Sequence, residues 1–136
     1  MATNQWQKIA RRNKERLRLI GQEAYVELGS DVIKRSPVDE GTFRNNWFSA
    51  LNEPSTQTTT VTAKKGFGEL GGARYTELLH LSTAYDIGDK LYFTNSLPYA
   101  RRLEYGHSST MAPHGMVRIA SAQWPLIVAR LARKIK

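Results

Sequence analysis

The sequence predicts an α+β fold: a long N-terminal helix packed on a small antiparallel sheet, with short helices and a C-terminal helix. Three observations lead there. Trp6, Ile9, Ala10, Leu17, Ile20, Ala24, Leu28 and Val32 recur at three- and four-residue spacing or its multiples, so they share one helix face. Lys90–Asn95 (KLYFTN) sets Leu91 and Phe93 opposite Tyr92 and Thr94, the period-two alternation of a strand. Near the end, Met116, Val117, Ile119, Ala120, Trp124, Ile127, Val128 and Leu131 return to a helical repeat.

In chain order, Thr3 or Asn4 can cap the first helix, which runs to about Lys34. At 1.5 Å per residue it is roughly 45 Å long, more than one small domain covers. From Ile20 onward Tyr25, Val26 and Ile33 widen its apolar face, as packing on a sheet requires. Before Leu17 the stripe is thin, interrupted by Asn13 and surrounded by bases. Residues 1–18 are therefore expected to form a basic helical arm projecting from a body that is otherwise one domain over residues 1–136. Trp6, Ile9, Arg11, Arg12 and Arg16 are its candidate contact residues.

Ser36-Pro37 ends the helix, because the proline ring drives the preceding residue out of the helical region. Asp39 can accept a backbone N–H two residues on, and Gly41 tolerates positive φ. Phe43 and Trp47 then supply two apolar anchors four residues apart. Pro37, Asp39, Gly41, Phe43 and Trp47 thus read as the anchors of a turn that fixes how helix meets sheet. Trp47–Asn52 reads as a strand, and the β-branched Thr56–Ala63 (TQTTTVTA) as its hairpin partner. Lys64–Gly72 (KKGFGELGG) is glycine-rich, but its spacing fits no phosphate-binding loop, so a mobile loop is expected. Arg74–Tyr85 is a short helix carrying Leu78, Leu79 and Leu81. Gly88-Asp89 turns the chain into the strand Lys90–Asn95. Pro98–Tyr105 makes two helical turns stopped by Gly106. The last helix, from about Gly115, contains Pro125, which should kink it or split it in two.

The net charge of +8 in 136 residues is unevenly placed. In residues 1–20 Lys8, Arg11, Arg12, Lys14, Arg16 and Arg18 stand against Glu15 alone, and residues 118–136 hold Arg118, Arg130, Arg133, Lys134 and Lys136 with no acid. Such ends suit an anionic partner, either nucleic acid or an acidic protein surface, or are simply solvated. No apolar run approaches the roughly 18 residues of a membrane span, and no secretory signal pattern opens the chain, so a cytoplasmic origin and no membrane are expected. The absence of cysteine excludes disulfides and thiolate metal sites. Glu104, His107 and His114 match no established metal spacing, and no nucleophile or metalloprotease motif occurs. No catalytic residue, metal or cofactor is expected, and the chain reads as a non-enzyme. Arg101 and Glu104 can pair at i,i+3 on the Pro98–Tyr105 helix, or Glu104 can meet an arginine of another subunit. Tyr99 and Arg102 lie on the same helix.

Two stretches together carry a resemblance. Ser36–Trp47 (SPVDEGTFRNNW) resembles the S-P-V-D-T-G-x-[LF]-R-x-x-W element of the tail-completion or neck family of long-tailed bacteriophages. Thr94–Ala120, running TNSLPYARRLEYGHS…APHGMVRIA, resembles that family's N-x-x-P-Y-A-x-x-[LV]-E-Y-G…A-P-x-G-M-[VL]-R element. Together they cover 39 of the 136 residues. Glu40 stands where threonine is usual, and His107-Ser108 where an aromatic is common. The resemblance implies a virion structural protein of the head–tail junction or upper tail, a self-assembled ring with six-fold symmetry. Its neighbours would be other phage neck and tail proteins, and the genomic DNA would pass through its channel. The alternative from charge alone is a small basic nucleic-acid-binding protein, although no helix-turn-helix or RNA-binding sheet motif is present.

Overall fold

The computed structural model describes residues 2–36, 43–60, 73–105 and 115–136. The expected α+β architecture is present. Helix α1 spans Ala2–Arg35, 34 residues, or roughly 50 Å at 1.5 Å per residue. Its second half is the wall on which everything else packs. Tyr25, Val32 and Ile33 join Phe43, Trp47, Leu78, Met116 and Ala120 in the main core. One turn earlier, Ile20 and Ala24 meet Ile127 and Leu131 in a second core. Helix α2, Ala73–Ala84, lies close against α1 because of Gly29. A Cβ there would sit 2.8 Å from Cδ1 of the fully buried Leu78.

Strands β1 (Trp47–Leu51) and β2 (Leu91–Asn95) form a two-stranded antiparallel sheet in which Trp47 faces Asn95, Ser49 faces Phe93 and Leu51 faces Leu91. Helix α1 reaches the sheet through Tyr25, whose ring meets Phe93 edge-on at 6.3 Å and whose hydroxyl donates to Tyr92 O. Burial pushes that phenol up to about 12. On the side of β1 that α2 covers, the Ser49 N–H donates to Glu77 Oε1 at 2.7 Å, and Arg74 holds the other carboxylate oxygen.

The expected hairpin partner of β1 is a correction. Residues 56–60 pair with neither strand, and residues 61–63 lie outside the described residues. Threonine β-branching favours a strand there, but Thr59 satisfies its backbone on a side chain. Its N–H donates to Asn46 Oδ1 at 2.8 Å, and Asn46 Nδ2 donates back to its carbonyl at 3.0 Å. The true partner of β1 arrives some forty residues later.

Among the described residues three further short helices follow: α3 (Ala100–Glu104), α4 (Val117–Ala122) and α5 (Trp124–Lys134). Pro125 splits the last helix as the sequence predicts. It occupies the first turn of α5, where no intrahelical partner exists for an N–H.

Where α1 meets the sheet, Ser36 at the helix end and Phe43–Trp47 at the strand start are joined by buried polar groups as well as aromatics. Trp47 Nε1–H donates to Ser36 Oγ at 2.8 Å, and Ser36 Oγ–H donates to Val32 O at 2.7 Å. Arg44 is buried, and its Nη2 donates to Lys34 O and Ser36 O, closing the carbonyl end of α1. Burial pulls its guanidinium below its ordinary value. Phe43 and Trp47 are both buried anchors, as expected. Pro37, Asp39, Gly41 and Gly106, together with Lys64–Gly72, lie outside the described residues.

Candidate functional site

The first candidate surface is the N-terminal part of α1. Trp6, Ile9, Leu17, Ile20 and Ala24 share one face, interrupted at Asn13, and α5 buries Ile20 and Ala24. Beyond the end of α5, Trp6 is 72% exposed and Ile9 42%. Residues 4–15 are exposed throughout, Arg11 and Arg12 among them. Arg16, expected as a partner contact, is engaged within the chain itself. Its Nε donates to Ile135 O and its Nη2 to Ala132 O, both at 2.7 Å. It therefore satisfies the open carbonyls at the C-terminus of α5, the negative end of that helix. The part of α1 that stands clear of the body thus ends one residue before, at Glu15, which pairs with Arg18.

The second candidate surface is α3. Tyr99 is half-exposed and leans on Phe43 with ring centroids 5.9 Å apart. Arg101 and Arg102 are exposed, and Arg101 lies 5.9 Å from the Tyr105 ring. The expected Arg101–Glu104 pair is not formed. Glu104 instead reaches across the sequence to the start of α4. Its Oε1 accepts the N–H groups of Met116 and Val117 at 2.8 Å, and its Oε2 accepts Arg118 N–H at 2.9 Å and Arg118 Nε at 3.0 Å. Helix α4 has no acid in its first turn and no side-chain cap of its own, so Glu104 supplies both the charge and the acceptors that its N-terminus lacks. That missing cap is the signal in the sequence that could have located the partner.

Burial alone would raise the Glu104 carboxyl. The backbone N–H groups of Met116, Arg118 and Val117 and the Arg118 side chain outweigh it and hold the group below its ordinary value of 4.5. A depressed carboxylate contributes stability that is complete above 4.5 and is lost as pH falls through the lower folded value. Glu104→Gln should therefore cost about 1–3 kcal/mol at neutral pH, the scale of leaving charged-group hydrogen bonds unmade. Urea melts at pH 7 and pH 3 check this. The gap between parent and variant should shrink in acid, and a gap unchanged by pH would count against the assignment.

His80 lies exposed on α2, and His107 and His114 lie outside the described residues. Among the described residues no three His, Asp or Glu side chains converge as a metal site requires. Nor does any helix there reach the length and apolarity needed to cross a membrane. What the described geometry offers is surfaces: an apolar stripe on a rod, flanked by cations, and an aromatic and arginine face on α3. No protein-family model matches the chain, and no curated protein or solved structure is similar to it at a significant level.

Proposed function

We propose that this chain is a virion structural protein of the phage neck and tail, a tail-completion subunit. In this reading it is made in the host cytoplasm and assembles with its own copies into a six-fold ring around the DNA channel. It joins other neck and tail proteins there and carries out no chemical step. The resemblance of Ser36–Trp47 and Thr94–Ala120 to that family is the starting point. Their packing supports treating them as one unit. Trp47 stacks on Phe93 at 5.2 Å, Asn95 Nδ2 donates to Phe43 O at 3.0 Å, and Glu104 secures Met116–Arg118 within the second stretch.

The observation that carries the assembly reading is the rod beyond α5. Trp6 and Ile9 continue a stripe that the chain buries elsewhere, and α5 ends before it can cover them. A neighbouring subunit supplies the cover, with α3 as a second contact. Because Arg16 serves α5, the decisive truncation removes residues 2–14 and leaves that bond intact. The truncated protein should stay soluble, melt cooperatively, and run as a monomer where the parent forms a ring by native mass. It should also fail to join heads to tails in a complementation assay. Normal particles from the truncated protein would refute the reading.

A further inference from the structure

The two basic ends of the chain, remote in sequence, meet in space. The bonds from Arg16 to Ala132 O and Ile135 O place the last turn of α5 beside α1 at the point where the rod leaves the body. Lys8, Arg11, Arg12 and Lys14 lie just beyond that point on the rod, and Arg133, Lys134 and Lys136 lie at the end of α5. All of them are exposed, and none takes part in an ion pair with a described residue. The contrast with the body is marked. Arg18, Arg35, Arg74, Arg118 and Arg130 are each matched to a carboxylate there. Lys34, Lys90, Arg101 and Arg102 are scattered elsewhere on the body outside these pairs, but the densest group of unmatched cations is the seven where the two ends converge.

We propose that this convergent surface binds the phosphate backbone of double-stranded DNA without reading its sequence, the rod lying in the major groove and the end of α5 meeting flanking phosphates. Three features favour DNA over an acidic protein. The cations of the rod are not a single line but a broad arc, from Lys14 through Arg11 and Lys8 to Arg12, over nearly half of the helix circumference at 3.6 residues per turn. A flat carboxylate patch meets only part of such an arc, whereas a groove about 12 Å wide has phosphate rows on both sides and admits a helix. The exposed run of residues 4–15 is about 18 Å long at 1.5 Å per residue, enough to lie along a groove. The only acid on it, Glu15, is already held by Arg18. Finally, DNA offers about one negative charge per 1.7 Å of axis, a density that a spread surface of seven cations matches, with Glu15 and Asp86 the acids beside Arg11 and Lys14. The apolar stripe of Trp6 and Ile9 lies outside that arc, so this binding is independent of the subunit contact proposed above.

The test is fluorescence anisotropy of the full chain with a labelled 20-base-pair duplex, titrated from 50 to 200 mM salt. If all seven cations engage, the slope of log K against log salt should be about −6, or a loss of between 10³- and 10⁴-fold across that range. The double variants Lys8→Gln/Arg12→Gln and Arg133→Gln/Lys134→Gln should each make the slope shallower by about 2. Lys34→Gln/Lys90→Gln, with cations elsewhere on the body, should leave it unchanged. Arg12→Lys/Arg133→Lys should keep the parental slope, which separates lost charge from lost shape, and a duplex of unrelated sequence should bind within about two-fold. An effect from only one of the two ends would overturn the single-surface proposal, as would no binding at 50 mM salt. Tighter binding of poly-glutamate than of the duplex at equal charge would assign the surface to an acidic protein instead.

Discussion

Trp47→Ala is expected to lower the melting temperature by roughly 10–15 °C, the equivalent of about 3–5 kcal/mol in a chain of this size. Three losses coincide at this residue. Its indole stacks nearly parallel on Phe93 at 5.2 Å and meets Phe43 edge-on at 5.8 Å, contacts worth more than area alone. It is 5% exposed in the main core, so its removal leaves a cavity that the two-stranded sheet is poorly placed to close. And its N–H supplies Ser36 Oγ, which in turn caps Val32 O at the end of α1. Trp47→Phe keeps the stacking and loses the hydrogen bond, so it should fall between parent and alanine. Trp6→Ala, compared at a dilution where both proteins are monomeric, is the control: at 72% exposure in the single chain it should change stability by no more than about 0.5 kcal/mol. Equal melting temperatures for Trp6→Ala and Trp47→Ala would remove Trp47 from its place as anchor.

The second large effect is expected at Gly115. Its φ of +87° lies in the left-handed region, which costs a residue with a side chain about 1–3 kcal/mol. Space is the graver obstacle. A Cβ would fall inside contact distance of the Glu104 carbonyl oxygen and 2.6 Å from its Oε2. Relieving that clash means moving Glu104 away from the N–H groups of Met116, Val117 and Arg118, and the unmade bonds add about 1–3 kcal/mol. Gly115→Ala should thus lose roughly 2–6 kcal/mol by urea denaturation, the sum of strain and lost cap. Gly88 provides the comparison, since its φ is +100° but nothing lies within 4 Å of a Cβ there. Gly88→Ala should show strain alone. Equal losses at the two glycines would mean that the Glu104 contact contributes nothing.

How far the sequence reaches can be followed residue by residue. Helix α1, the strands at Trp47 and Leu91, and the break at Pro125 rest on periodicity and on proline stereochemistry, both of which act over a few residues. Pairing does not. Nothing local tells β1 that its partner is Leu91–Asn95 rather than the threonine run, and β-branching made the nearer segment the natural choice. The Asn46 side chain that occupies Thr59 is equally silent in sequence, since an asparagine beside a strand usually reads as a turn. For Glu104, helical spacing proposed Arg101, three residues away, whereas the chain uses Arg118, fourteen residues away. Of the surfaces, the exposure of Trp6 and Ile9 followed from the thin stripe and the bases around it. The use of Arg16 as a cap for α5 did not, because it depends on where another helix ends.

The bond between Glu77 and the Ser49 N–H has a consequence for how copies of this chain can meet. Among the described residues the sheet has two strands, so that it consists of edges, and an edge amide in β1 is an invitation for a foreign strand to continue the ladder. Here that amide faces α2 and already holds a carboxylate. An incoming strand would have to displace Glu77, undo its contact with Arg74, and leave a negative charge without its donors. At β1, therefore, growth by strand addition, the route to fibres and to swapped dimers, is closed by a helix that sits on the edge.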